Sequence, residues 1–355
     1  MHKYCVILAG GGGAHFWPLS REDKPKQFQP SVPEGASFLQ LTYKRALSLF
    51  PKDSIYVVSL ERFEDILKEQ LPDIPQEQLL LEPYGRGTAT SIAYAAYALL
   101  EKDPDAVMLV TPSDHIIEDS DNFTATIARA ADFASETNSL ITIGIVPTNP
   151  DTGFGYVQVE GGIRACSRKE PLKAKTFTEK PSAELAQVFI DSGEFLWNSG
   201  IFVWKASAIL EEMRHCCPEI PKLWKGWQNN LERVYSDSPN ISIDYAVLEK
   251  SSNLKVLPAD FGWNDVGSFS SYYEHSHCKD ADGNMTIGVR GKAFVKDTKD
   301  SIVCSINPKK LVVVRGLENY LVIDTDDVLL ISPRDEKILQ DTVRELKSPE
   351  FEEFR

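Results

Sequence analysis

Four short apolar runs, at residues 4–8, 55–59, 106–111 and 140–145, constrain the fold more than any other feature. Each is continuous rather than alternating, as in a strand covered on both faces. Helical stretches at 37–50, 61–70, 88–102 and 121–136 lie between them, and Ala, Ile and Leu dominate 88–102. This βαβ rhythm predicts a doubly wound, mostly parallel α/β sheet. From 150 to 275 the rhythm loosens: "GFGYVQVE" and "SGIFVWK" read as strands, with helices expected at 182–192, 206–216 and 220–235. After about 284 come "MTIGV", "KAFVKDT", "SIVCSI", "LVVVRGL", "YLVID" and "DVLLISP", with no room for helices between them. They predict a small β-domain, a short β-solenoid, closed by a helix near 335–347. The expected division is therefore 1–280 and 284–355.

A formal net charge of −14 argues against nonspecific nucleic-acid binding, which leans on Lys and Arg. No apolar run approaches the ~20 residues of a membrane helix. The N-terminal "MHKYCVILA" is too short in apolar residues for a signal peptide and reads as the first strand. Cysteines 5, 166, 216, 217, 278 and 304 are scattered without a CxxC pair, which fits reduced thiols in a cytoplasmic protein. No nucleic-acid or membrane partner is expected.

The stretch "CVILAGGGGAHFWPLSREDKPKQF", residues 5–28, follows the first strand. Glycines there let backbone N–H groups line a hollow for phosphate oxygens, and Lys24 and Lys26 follow closely. The run lacks the GK[ST] ending of a P-loop and fits G-x-G-x-x-G poorly, because His15 and Phe16 stand where a helix would open.

"LAGGGGAHFWPLSREDKPKQF" resembles the signature of sugar-1-phosphate nucleotidyltransferases, in the form found in mannose-1-phosphate guanylyltransferases. "EPYGRGTA", "PSDH", "TGFGYV", "FTEKP", "FLWNSGIFVW", "SIDYAVLEK" and "WNDVGSF" match in the right order over nearly the whole chain. The resemblance implies a Rossmann-like nucleotidyltransferase domain with a short left-handed β-helix behind it. It implies synthesis of GDP-mannose and pyrophosphate from GTP and mannose 1-phosphate, with Mg²⁺ as cofactor; the sequence does not fix the oligomeric state, for which a homodimer is the expectation. Rival readings are a related enzyme for another sugar phosphate or base, and a non-catalytic sugar-nucleotide-binding homologue.

The same resemblance assigns roles. Leu8, Ala9, Gly10, Gly11 and Gly13, with Glu82, Pro83, Thr88 and Asp114, would bind the nucleotide, Glu82 accepting from guanine N1 and N2. Lys26 would meet the phosphates at the reacting centre, and Asp114 and Asp265 would hold the metal. Gly155, Glu179, Lys180 and Asn198 would bind the sugar phosphate. His115 reads as scaffold rather than Mg²⁺ ligand, and Trp197, Trp204 and Trp263 as core. Gly87 stands where the family commonly has Asn, which weakens one polar contact to the base.

His15 replaces the family's arginine, a permanently charged bidentate phosphate ligand, so Arg21, Lys24 or Arg86 would have to compensate if it fails. If His15 still meets phosphate as an imidazolium, activity falls as pH rises past its titration. His15→Arg should then hold or raise the rate and flatten the alkaline limb of the pH–rate profile. An unchanged rate and profile in His15→Ala would make the histidine a bystander.

Overall fold

A computed structural model of the chain describes residues 2–11, 16–30, 35–276, 278–287, 292–307, 309–346 and 348–354. They form two compact units: Met1–Gly10 with Thr42–Trp263, and Gly11–Leu41 with Asn264–Arg355.

The strands of the first unit are β1 (Lys3–Leu8), β2 (Ile55–Leu60), β3 (Leu79–Glu82), β4 (Val107–Pro112), β5 (Ile116–Ile117), β6 (Leu140–Ile145), β7 (Gly155–Val159), β8 (Leu172–Thr178), β9 (Phe195–Lys205) and β10 (Leu254–Ala259). All but β5 join one nine-stranded sheet in the order β3-β2-β1-β4-β9-β6-β10-β8-β7. The four apolar runs became β1, β2, β4 and β6, which share one direction, as expected of a mostly parallel sheet. Only β8 and β9 run against the others, and β9 is inserted antiparallel between β4 and β6. Cys5, Val6 and Ile7 in β1 are wholly buried.

Helices α1 (Phe38–Leu47), α2 (Glu64–Gln70), α3 (Gly87–Leu100), α4 (Ser120–Glu136), α5 (Ala183–Ser192) and α6 (Ala206–Cys216) arise where the sequence predicts helices. The helix expected over 220–235 is instead two, α7 (Glu219–Leu223) and α8 (Leu231–Asp237). Gly226 breaks it at φ +71°, and the Asn230 side chain caps α8 by accepting from the Arg233 N–H at 3.0 Å.

The second unit ends in a parallel ladder. After β11 (Trp263–Asn264), which holds the last residue of the first unit, α9 (Phe269–His275) precedes β12 (Met285–Ile287), β13 (Lys292–Lys296), β14 (Ile302–Ser305), β15 (Leu311–Arg315), β16 (Tyr320–Asp324) and β17 (Leu329–Pro333). Met285 pairs with Ile302 and Ile302 with Leu321, while β13 pairs parallel with β15, so the backbone coils. Val303, Val314 and Val322 fill the coil, β17 closes it antiparallel, and α10 (Glu336–Glu345) follows.

The compact units do not follow the cut read at 280–284, because 11–41 pack with 264–355. The Trp17 indole donates to the Phe354 carbonyl at 2.7 Å, and Arg21 pairs with Asp327 at 2.8 Å. All six cysteines are unpaired. Among the described residues no helix is long and apolar enough to cross a membrane.

Asn284 anchors the first coil. Its Nδ2 donates to the Thr298 carbonyl at 2.7 Å, and its Oδ1 accepts from the Ser301 N–H at 3.2 Å. Asn284→Ala strands two buried backbone groups and should cost about 2–4 kcal/mol, read as a lowered melting temperature.

Candidate active site

The segment that follows β1 begins with Ala9 and Gly10. The Ala9 N–H donates to the Val58 carbonyl at 2.8 Å, and its carbonyl accepts from the Ser59 hydroxyl at 2.9 Å. Leu8, the last residue of β1, is half-buried. A Cβ at Gly10 would stand 3.0 Å from Glu82 Oε2, a tight approach that would make the carboxylate give way by a few tenths of an ångström. Gly13 and His15 lie outside the described residues.

Glu82 closes β3 at 3% exposure. Its Oε1 accepts from the Ser91 hydroxyl at 2.6 Å and the Tyr235 hydroxyl at 2.9 Å. Burial pushes its carboxyl above the usual range, and these two hydrogen bonds oppose the shift. The sequence reading named neither Ser91 nor Tyr235. Pro83 is half-buried beside it. Gly87 opens α3 at φ +73°, where a Cβ would lie 2.3 Å from the Ile241 carbonyl oxygen, so asparagine would not fit. The Thr88 hydroxyl is already engaged, accepting from the Ile243 N–H at 2.9 Å.

A second cluster in the same unit holds Gly155, Glu179, Asn198 and Asp244. Asn198 Nδ2 donates to Asp244 at 2.9 Å, while its Oδ1 accepts from Thr142 at 2.7 Å. Glu179 Oε2 is buried, and among the described residues no hydrogen-bond partner reaches it. A Cβ on Gly155 would stand 2.4 Å from that oxygen, so this glycine makes room for the carboxylate. The Glu179 carboxyl is pushed up to about 7, by burial first and then by Asp244, with Lys180 opposing. Lys180 is exposed at φ +46°, its N–H on the Phe154 carbonyl at 3.2 Å. Asp244, which opens a π-helical turn over Asp244–Leu248, is a further residue that the sequence reading quoted without a role.

Asp114, half-buried, follows β4. Next to it the Trp263 indole donates to His115 Nδ1 at 3.1 Å, the scaffold role expected of that histidine. Trp204 is wholly buried, and Trp197 packs against Phe154 with ring centroids 5.0 Å apart.

In the second unit Lys26 is 6% exposed. Its ammonium donates to the Asp265 carbonyl at 2.6 Å and lies 5.6 Å and 5.4 Å from the Phe16 and Phe38 ring centres. Gln27 donates to the Gly11 carbonyl at 2.7 Å. The Asp265 carboxylate accepts from the Gly267 N–H at 3.2 Å. Two of the three cations considered as substitutes for His15 are committed elsewhere. Arg21 is held by Asp327, and Arg86 donates to the Tyr235 and Ser236 carbonyls at 2.8 and 3.1 Å.

Residues 4–281 match the family described as Nucleotidyl transferase. The chain is 39% identical over 356 residues to the Xanthan biosynthesis protein XanB of Xanthomonas campestris, covering 97% of this chain and 73% of that protein. It is 36% identical to a mannose-1-phosphate guanylyltransferase of Escherichia coli, over 93% of this chain and 72% of the relative. A solved structure described as mannose-1-phosphate geranyltransferase from Thermus thermophilus superposes with a TM-score of 0.86 at 30% identity, covering 98% of this chain and all of that one.

The Glu179 carboxyl yields a stability prediction. It titrates at about 7 in the fold and near 4.5 ordinarily, so the folded state holds the proton more tightly. The stability this confers is present below the ordinary value and lost as pH rises through 7. Glu179→Gln should therefore gain thermal stability over the wild type on going from pH 5 to pH 8. Parallel melting curves across that range would show Glu179 ionising freely.

Proposed function

The chain belongs to the nucleotidyl transferase family, and on that premise we propose that it joins mannose 1-phosphate to GTP, releasing GDP-mannose and pyrophosphate. The observation that carries the reading is likeness along 93% of the chain to a mannose-1-phosphate guanylyltransferase. The attacking sugar-phosphate oxygen is already anionic near neutrality, since its second pKa is ~6, so no general base is required. The protein must hold two polyanions in line and neutralise them.

Lys26 supplies a fixed cation, its position set by the Asp265 carbonyl and two aromatic rings. Glu82 keeps one carboxylate oxygen, Oε2, for the donors of guanine, because Oε1 is taken by two hydroxyls. The partnerless Oε2 of Glu179 suits a sugar hydroxyl, which would satisfy a buried acceptor. Lys180, exposed, is the cation for the sugar phosphate.

Mg²⁺ belongs to the same proposal, with Asp114 and Asp265 as its protein ligands. Mg²⁺ is held in general by one or two carboxylates and completed by phosphate and water oxygens, which is the donor set two aspartates would offer it. Such an ion, when bound, offsets phosphate charge. The six unpaired cysteines support a cytoplasmic setting, and a homodimer completes the reading.

Pyrophosphate release over a panel of nucleotides and sugar 1-phosphates tests the reaction, with GTP and mannose 1-phosphate expected to be the best pair. Turnover confined to another pair would reassign the substrates. Asp265→Asn keeps the shape and removes the charge, and should cost at least ~100-fold in rate. Wild-type rates in that variant, or full activity in EDTA, would remove the metal assignment.

A further inference from the structure

The helix α8 reaches Glu82 from 153 residues away in sequence and is fastened to the segment around it at four points. The Tyr84 hydroxyl donates to Glu232 at 2.8 Å. The Arg86 guanidinium takes the Tyr235 carbonyl at 2.8 Å and the Ser236 carbonyl at 3.1 Å. The fourth contact is the Tyr235 hydroxyl on Glu82 Oε1, at 2.9 Å. Tyr235 is wholly buried, its ring walled by Tyr94 and Trp224 with centroids 6.1 Å away in each case. Ser91 brings a second hydroxyl to the same oxygen from α3, and Gly10 leaves Oε2 uncovered by any side chain of its own.

We propose that Tyr235, assisted by Ser91, is a positioning residue that holds Glu82 as an ionised acceptor and thereby sets the purine preference of the site; this rests on the reading that Glu82 meets the base. Both hydroxyls donate to one oxygen, so they fix the side chain's rotation and stabilise its charged form. An ionised Oε2 can only accept, which matches the N–H donors of guanine and opposes the N1 acceptor of adenine. A protonated Oε2 would donate and reverse that match. The groups facing Glu82 are Ser91 and Tyr94 from α3, Tyr235 from α8 and the backbone at Gly10. Burial pushes this carboxyl up, and the two hydroxyls oppose that rise.

The test is the ratio of kcat/KM for GTP to that for ATP, measured from pH 6 to pH 9 in the wild type and in Tyr235→Phe, Ser91→Ala and Glu82→Gln. Tyr235→Phe should lower the ratio at least ~10-fold at pH 6, the scale of one hydrogen bond to a charged group, and recover it as pH rises. Glu82→Gln should lower the ratio at every pH. A merely structural Tyr235 would reduce both nucleotides equally and without pH dependence, and that result overturns the proposal while a lowered ratio in Glu82→Gln leaves base reading intact. An unchanged ratio in Glu82→Gln removes base reading, and the proposal with it. Should Tyr235→Phe fail to fold, Ser91→Ala removes the other hydroxyl and carries the same expectation and the same refutation.

Discussion

Burying an ion in protein costs several kcal/mol unless other groups replace its water, and within each unit that cost decides how the charged side chains are held. Lys26 and Glu82 are withdrawn from solvent, and Asp244 is half-buried. Each is met by a partner remote in sequence: the Asp265 carbonyl for Lys26, the Tyr235 hydroxyl for Glu82, the Asn198 amide for Asp244. These three contacts come from a carbonyl, a hydroxyl and an amide, and they fix where each group sits. The burial that makes these groups costly also makes their interactions strong, because the local dielectric is low.

The backbone shows the same pattern. Val266, wholly buried, stands at φ +49°, a conformation that a β-branched residue rarely adopts, with its N–H on the Asn264 side chain at 2.6 Å. It adjoins Asp265, whose carbonyl holds Lys26. Lys180, also at positive φ, adjoins Glu179. Strain of about 1–3 kcal/mol per such residue persists only where the surroundings over-determine the backbone. Four further non-glycine residues share this conformation, Lys169, Asp297, Asp300 and Asn319, so it is not confined to the neighbours of Asp265 and Glu179.

The strands of the sheet were legible because continuous apolar runs have few other uses in a chain of this composition. The antiparallel insertion of β9 was not, since "SGIFVWK" carries no mark of its direction or neighbours. The four-residue β3 was too short for periodicity to report, although Glu82 at its end is the centre of a buried network. The broken helix over 220–235 had its signals in Gly226 and Asn230, which a reading by helical period passed over. Gly87 looked like a lost polar contact and proves to be room for the Ile241 backbone.

By itself the sequence determined the αβ architecture, the β-coil that follows it in the chain, and the family, because apolar period and ordered motifs are local properties of a chain. What the tertiary structure alone decided is how those residues are held. Ser91 and Tyr235 share one oxygen of Glu82, Asp244 takes the amide of Asn198, and Arg21 and Arg86 are committed to structure rather than left for phosphate. Those outcomes depend on which distant groups burial forces together, and a hydroxyl or a guanidinium carries no sign in its own neighbourhood of the partner it will meet.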